Sequence, residues 1–171
     1  MSITENTFET AIDQFIPHPK FQIYQPKYDI ALIKMAKEVS FSDYIRPICL
    51  PVNQQLRTIS QFELNGWGRT GNGRYSGYLQ STTLNVTNCD EYPGVDDSQI
   101  CAGSDTSDSC SGDGGGPLSA KLSYEETARI FLIGIVSFGL QSCHGSSSVY
   151  TNVTYYLDWV KDTIHNNKLL S

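Results

Sequence analysis

Asp108-Ser109-Cys110-Ser111-Gly112-Asp113-Gly114-Gly115-Gly116-Pro117-Leu118 is the stretch whose reading decides the fold. Its glycines stand around a fixed acid, Asp113. That pattern predicts a tight loop whose backbone N–H groups turn into a cavity, where they can cradle an oxyanion or a phosphate. The phosphate reading is poor, because no lysine follows the glycines as a P-loop requires. The plain alternative is a glycine-rich hairpin loop.

On either side of this loop lie short strand-like runs divided by glycine-rich turns. They are 59–67, 78–86, 98–102, 117–122, 129–138 and 147–153. Strands this short at this spacing predict an antiparallel barrel or sandwich. Upstream, Phe8 to Ile16 alternates loosely and ends at Pro17-His18-Pro19, and Ile30-Ala31-Leu32-Ile33 reads as a short buried strand. Arg46-Pro47-Ile48-Cys49-Leu50-Pro51 is an extended connection and the candidate boundary between lobes. At the other end Tyr156, Leu157, Val160 and Ile164 recur at helical spacing. Thr154 is the candidate cap of that helix, and Tyr155 and Trp159 are read as packing residues.

Composition narrows the function. The 171-residue chain is 39% hydrophobic, enough for a packed core, and carries 14 glycines and 10 tyrosines. Its net charge is −6, which repels phosphate backbones and speaks against nucleic acid as a partner. No apolar run reaches the roughly 20 residues that span a bilayer, so no membrane is expected. The first residues have no basic stretch and no apolar core of a secretory leader. None of the five cysteines, Cys49, Cys89, Cys101, Cys110 and Cys143, forms a C-x-x-C pair. Zinc is therefore not expected, and the wide spacing suits disulfides of a secreted domain. Two sequons, at Asn85 and Asn152, agree with that compartment. An odd cysteine without a leader suggests that something upstream is absent. No cofactor or metal is expected.

The loop resembles the nucleophile loop of chymotrypsin-family (trypsin-like) serine proteases, D-S-C-x-G-D-S-G-G-P-L, at every position but one: Gly114 stands where that family has its catalytic serine. Other segments agree in order: Tyr28-Asp29-Ile30-Ala31-Leu32, Asn65-Gly66-Trp67-Gly68, Ile100-Cys101-Ala102-Gly103, Ile135-Val136-Ser137-Phe138-Gly139 and Val149-Tyr150-Thr151-Asn152-Val153. The phrase from His18 to Pro51 looks most like arthropod clip-domain proteases and their inactive homologues.

The resemblance implies an all-β, trypsin-like double antiparallel barrel covering about the last two-thirds of the domain. Residues 1–50 would be a remnant of the first barrel plus the connection, and residues 51–171 a complete second barrel with a C-terminal helix. Asp29 matches the triad aspartate, and Ser137 is expected to hydrogen-bond its carboxylate. The N–H groups of Gly112 and Gly114 match an oxyanion hole. Asp108 matches the acid at the base of a pocket for Arg or Lys, with Ser137, Phe138 and Gly139 on its wall. Ser148 departs from the usual glycine and would narrow that pocket. Asp113 matches the acid that pairs with a new N-terminal amine after zymogen cleavage; without that amine a zymogen-like loop is expected.

The family's histidine lies in a T-A-A-H-C context upstream of the aspartate, and only 28 residues precede Asp29, without that motif. His18, in its turn between prolines, does not match it; His144 and His165 read as surface residues. The resemblance also implies the disulfides Cys89–Cys101 and Cys110–Cys143, leaving Cys49 unpaired. The expected function is a catalytically inactive homologue that binds or regulates proteins, extracellular, in a protease cascade or with a chain that completes the first barrel. The alternatives are a trypsin-like endopeptidase known from an incomplete sequence, and a non-functional fragment. A truncated first barrel would expose Phe8, Ile12, Phe15, Ile30, Leu32 and Ile33.

Overall fold

Alternation and turns build two sheets of unequal size. The computed structural model describes residues 7–25, 27–52, 59–70, 73–105, 109–139 and 147–167. Strands β1 (Ile12–Pro17) and β2 (Ala31–Met35) form a separate antiparallel ribbon. Strands β3 (Gln61–Gly66), β4 (Gln80–Val86), β5 (Gln99–Gly103), β6 (Pro117–Tyr124), β7 (Thr127–Gly139) and β8 (Ser147–Asn152) close into an antiparallel barrel in the order β3-β4-β5-β8-β7-β6. Closure removes the open edges that a flat sheet of this composition would leave to aggregate. Helix α1 (Leu157–Asn166) follows β8.

The barrel is filled from inside by Phe62, Leu64, Leu84, Leu118, Phe131, Ile133, Val136 and Tyr150. Phe62 and Leu64 in β3, like Phe131 and Ile133 in β7, sit two apart, so period 2 delivers one face to the core, and the register shift of β7 against β6 beyond Ile133 returns Val136 to it. A hydrophobic side chain of this kind stabilises by roughly 1.5–3 kcal/mol on full burial. The segment after the ribbon runs along the barrel as well: Cys49 bridges to Phe131, donating to Ile130 and accepting from Leu132.

Helix α1 does not pack on the barrel alone. Tyr156 and Val160 form a second cluster with Ile30, joined by Tyr28, Leu32, Leu50, Trp159 and Ile164. Ile30 is therefore buried and Leu32 half-buried, against the expectation that truncation would expose both. The helix supplies the cover. Phe8, Ile12, Phe15 and Ile33 are exposed, as expected. The inner end of the ribbon is also tied polarly. Thr151 Oγ1 donates to Asp29 O at 2.7 Å, Tyr28 N–H donates to Tyr156 Oη at 3.1 Å, and Lys27 pairs with Asp96. Hydrogen bonds from Lys27 and Ser98 hold the Asp96 carboxyl down at about 2.

The cap of α1 differs from the expectation. The cap residue is Tyr156, without a side-chain cap bond, and the Thr154 hydroxyl is buried without a partner among the described residues. Asn152 Oδ1 instead accepts the Thr154 N–H at 3.1 Å, so the turn is set one step earlier. Tyr155, read as a packing residue, is largely exposed with only its ring edge on Tyr156.

Candidate functional site

The loop 109–116 is shaped by its acid. Asp113 turns back under the β3 exit: its Oδ1 accepts from Gly68 N–H at 2.7 Å, and its Oδ2 from Cys110 N–H at 3.0 Å. The carboxylate fills the space where a Cβ on Gly66 or Gly68 would stand, so the Gly66-Trp67-Gly68 stretch is glycine for room. Gly112 has φ 103°, a left-handed conformation, and a Cβ there would run into Tyr75 and Gly68. The expected anchor of Asp113 was an N-terminal amine. In this structure backbone N–H groups of the same chain occupy the carboxylate. Gly114 faces open space, and its N–H and that of Gly112 donate to no acceptor among the described residues.

Opposite the loop stands Asp29. Ser137 Oγ donates to its Oδ2 at 2.6 Å. The local reason is a bulge: Val136 pairs with Tyr150 and Phe138 with Val149, leaving Ser137 as the extra residue of β7. Bulges re-aim side chains, and this one sends the Ser137 hydroxyl across to the ribbon. Asp29, Gly114 and Ser137 share a cleft of about 480 Å³ with Phe15, Pro17, Phe21, Ile33 and Val136. Among the described residues lining it there is no histidine.

Of the residues expected around a pocket for Arg or Lys, Phe138, Gly139 and Ser148 are among the described residues. Phe138 packs edge-on against Tyr92, whose hydroxyl donates to Ser147 O. Ser148 pairs with Gly139 across β7 and β8, and its buried side chain fills the space beside Gly139 that a Cβ would need. Asp108, Cys143 and His144 lie outside the described residues. Cys89 is bonded to Cys101, Cys110 is disulfide-bonded, and Cys49 is a free thiol. Asn85 is exposed on β4. Asn152 uses its side-chain nitrogen, the atom a glycan would take, to donate to Asp97 O at 2.9 Å.

His165 is exposed on α1. His18, read only as a turn residue, is buried in contact with three rings: stacked on Tyr28 at 4.8 Å, edge-on to Tyr156, and 4.9 Å from Trp159. Its Nδ1 accepts from Lys20 N–H. The sequence reading also left the cleft walls Phe15, Phe21 and Ile33 without a site. The signal was there in the alternation Asp29, Ala31, Ile33, which puts the acid and two apolar residues on one face. Among the described residues no group of three or more His, Cys, Asp or Glu is placed to hold a metal ion, and no helix is long and apolar enough to cross a membrane.

Comparison with known proteins agrees with this geometry. The trypsin family model matches residues 2–160. The chain is 36% identical to CLIP domain-containing serine protease B15 of Anopheles gambiae, over 94% of this chain and 48% of that protein. It is 37% identical to serine protease grass of Drosophila melanogaster, over 92% and 46%, and 35% identical to phenoloxidase-activating factor 1 of Holotrichia diomphalia, over 95% and 47%. It thus spans about half the length of these relatives. With its closed antiparallel barrel, C-terminal helix and glycine-rich loop, the chain belongs to the trypsin family of serine proteases, with clip-domain proteases among its relatives.

Proposed function

We propose that the chain is a catalytically inactive member of its family that binds other proteins. The observation that carries this reading is Gly114: at the nucleophile position of the loop it offers no side chain, and among the described residues lining the cleft it shares with Asp29 there is no imidazole. The family's chemistry needs a hydroxyl to attack and an imidazole to take its proton. On this reading Asp29 and Ser137 serve the fold, and Gly112, Gly114, Phe138, Gly139 and Ser148 keep a cleft that holds polypeptide without cutting it. On the same reading residues 1–50 are the remnant of a first barrel plus the connection, and residues 51–171 a second barrel with its C-terminal helix.

The Cys89–Cys101 disulfide supports an oxidising, extracellular compartment. The name of the relative phenoloxidase-activating factor 1 supports a place among proteins of a protease cascade. A second reading, a trypsin-like endopeptidase, is favoured by the protease names of the other relatives and opposed by Gly114.

The purified chain is expected to hydrolyse no Arg or Lys amide or ester substrate. Loss of the nucleophile alone costs about 10⁶ in rate in a triad enzyme. Gly114→Ser is expected to stay inactive as well, because a hydroxyl without a base is a weak nucleophile. Turnover by Gly114→Ser together with labelling by a serine-directed phosphonate would overturn the reading.

A further inference from the structure

Two asparagines open sequons, Asn85-Val86-Thr87 and Asn152-Val153-Thr154, and the fold treats them differently. At such a site a transferase of the secretory route reads the threonine hydroxyl in the extended chain. The asparagine Nδ2 then displaces a lipid diphosphate from the anomeric carbon of an oligosaccharide: the C–N bond forms, the C–O bond to the diphosphate breaks, and one amide proton leaves. Transfer precedes folding, so the folded structure decides a later question, whether the chain closes with the sugar in place.

Asn85 meets that condition. It is exposed on the outer face of β4, next to the fully buried Leu84 of the inner face. Its partner across β3 is Gln61, and across β5 it is Gly103, which has no side chain to crowd it. Its Oδ1 accepts from Gln61 Nε2 at 3.2 Å, while its Nδ2 donates to no acceptor among the described residues. That bond uses the atom a sugar does not take, so it survives the modification. The neighbours on this face, Glu63, Ser81 and Thr83, are exposed and polar, a surface already solvated and open to a bulky hydrophilic chain.

Asn152 fails it. This half-buried residue ends β8, and its whole amide is in use: Nδ2 donates to Asp97 O at 2.9 Å, and Oδ1 accepts the Thr154 N–H at 3.1 Å. Its backbone N–H donates to Ser98 O as well. Asn152 thus ties the exit of β8 to residues 97 and 98 and sets the approach to α1. A sugar on Nδ2 would compete for the place of the Asp97 carbonyl.

The threonines allow a clean test. Thr87 Oγ1 and Thr154 Oγ1 are both buried without a partner among the described residues. Neither hydroxyl holds the fold, so valine, which has the same shape, removes the sequon without removing a hydrogen bond. The strand order says which side a sugar covers. In the closed order β3-β4-β5-β8-β7-β6, β4 lies three strands from β7 in either direction, and β7 carries Ile135, Val136 and Ser137 of the cleft.

We propose that the folded protein carries an N-linked oligosaccharide on Asn85 and none on Asn152, so that sugar covers the side of the barrel turned away from the cleft. The proposal rests on the extracellular reading above and names a modification that goes with it.

The test is secretion of the full chain from cultured mammalian cells behind a cleavable leader, followed by removal of sugar with a peptide-N-glycosidase in heavy-oxygen water and peptide mass spectrometry. The enzyme leaves a labelled aspartate at each asparagine that bore a sugar. Label is expected at position 85 of the secreted chain and not at position 152. Asn85→Gln and Thr87→Val are each expected to lose the added mass entirely, and Thr154→Val to lose none of it. A secreted chain unlabelled at 85, or labelled at 152, overturns the proposal. Where little chain is secreted, the retained fraction is read the same way, and an unlabelled Asn85 there overturns it too. The leader imposes export, so these outcomes are separate from failure of the extracellular reading, which would show as absence of the native protein from extracellular fluid.

Discussion

His18 occupies the point where the ribbon turns toward α1, among Tyr28, Tyr156 and Trp159. Nδ1 accepts the Lys20 N–H, which requires the neutral ring with its proton on Nε2. Burial lowers its pKa below the ordinary 6.5, and the Lys20 charge adds to the effect. The sign follows from proton counting. Below 6.5 the unfolded chain binds this proton and the folded chain resists it, so the unfolded state gains. His18 therefore costs nothing above pH 6.5 and removes stability as pH falls below it. Urea unfolding between pH 7 and pH 5 is expected to lose stability more steeply in the native chain than in His18→Phe. The difference is limited to about 1.4 kcal/mol per pH unit, the slope of one proton. Identical slopes would show that the imidazole titrates as it does in water.

Among the elements, β5 is held from both sides. It pairs with β4 and β8, and Cys101 at its centre carries the disulfide to Cys89 across a separation of 12 residues. Cys101 also packs with Tyr92 and Val149, so the bond lies over a small core of its own. Closing a loop of this size in the unfolded chain contributes about 3 kcal/mol by the loop-entropy estimate. The double variant Cys89→Ala, Cys101→Ala is expected to lower the unfolding free energy measured in urea by that amount or somewhat more, since the lost sulfur leaves a void. A shift below about 1 kcal/mol would mean that the unfolded chain is already restrained there. β7 shows the opposite device: one added residue, Ser137, breaks the register and creates the link to Asp29.

At the scale of the molecule, a closed barrel carries an open ribbon. The barrel has a continuous core, while β1 is exposed along nearly its whole length. Between them lies the anchored stretch 28–32, covered by α1. Hydrogen exchange is therefore expected in three ranks. Amides of β7 and β8 exchange slowest. His18, Tyr28 and Ile30, which donate to Ile30 O, Tyr156 Oη and Tyr28 O, come next. Amides of residues 7–16 and 36–45 exchange fastest. Mass-spectrometric exchange in which residues 12–17 match the barrel would show that the ribbon is covered in solution, by self-association or otherwise.

What could be read from the sequence was what local pattern controls. Alternation and glycine-rich turns located each barrel strand to within two or three residues, because side-chain period and turn chemistry act over neighbouring positions. The loop around Gly114 was legible for the same reason: its residues are contiguous. The sequence also carried the identity of the acid, Asp29, and its apolar neighbours. The tertiary structure decided their partners. Gly68 reaches Asp113 across 45 residues, Asp29 meets Ser137 across 108, and Tyr28 meets Tyr156 across 128. Such contacts depend on how the barrel closes and where α1 comes to rest, and no local preference encodes them. The same long-range packing buried Ile30 and His18 and moved the helix cap from Thr154 to Tyr156. It also opened one cleft in which a loop glycine, a ribbon carboxylate and a barrel serine stand together.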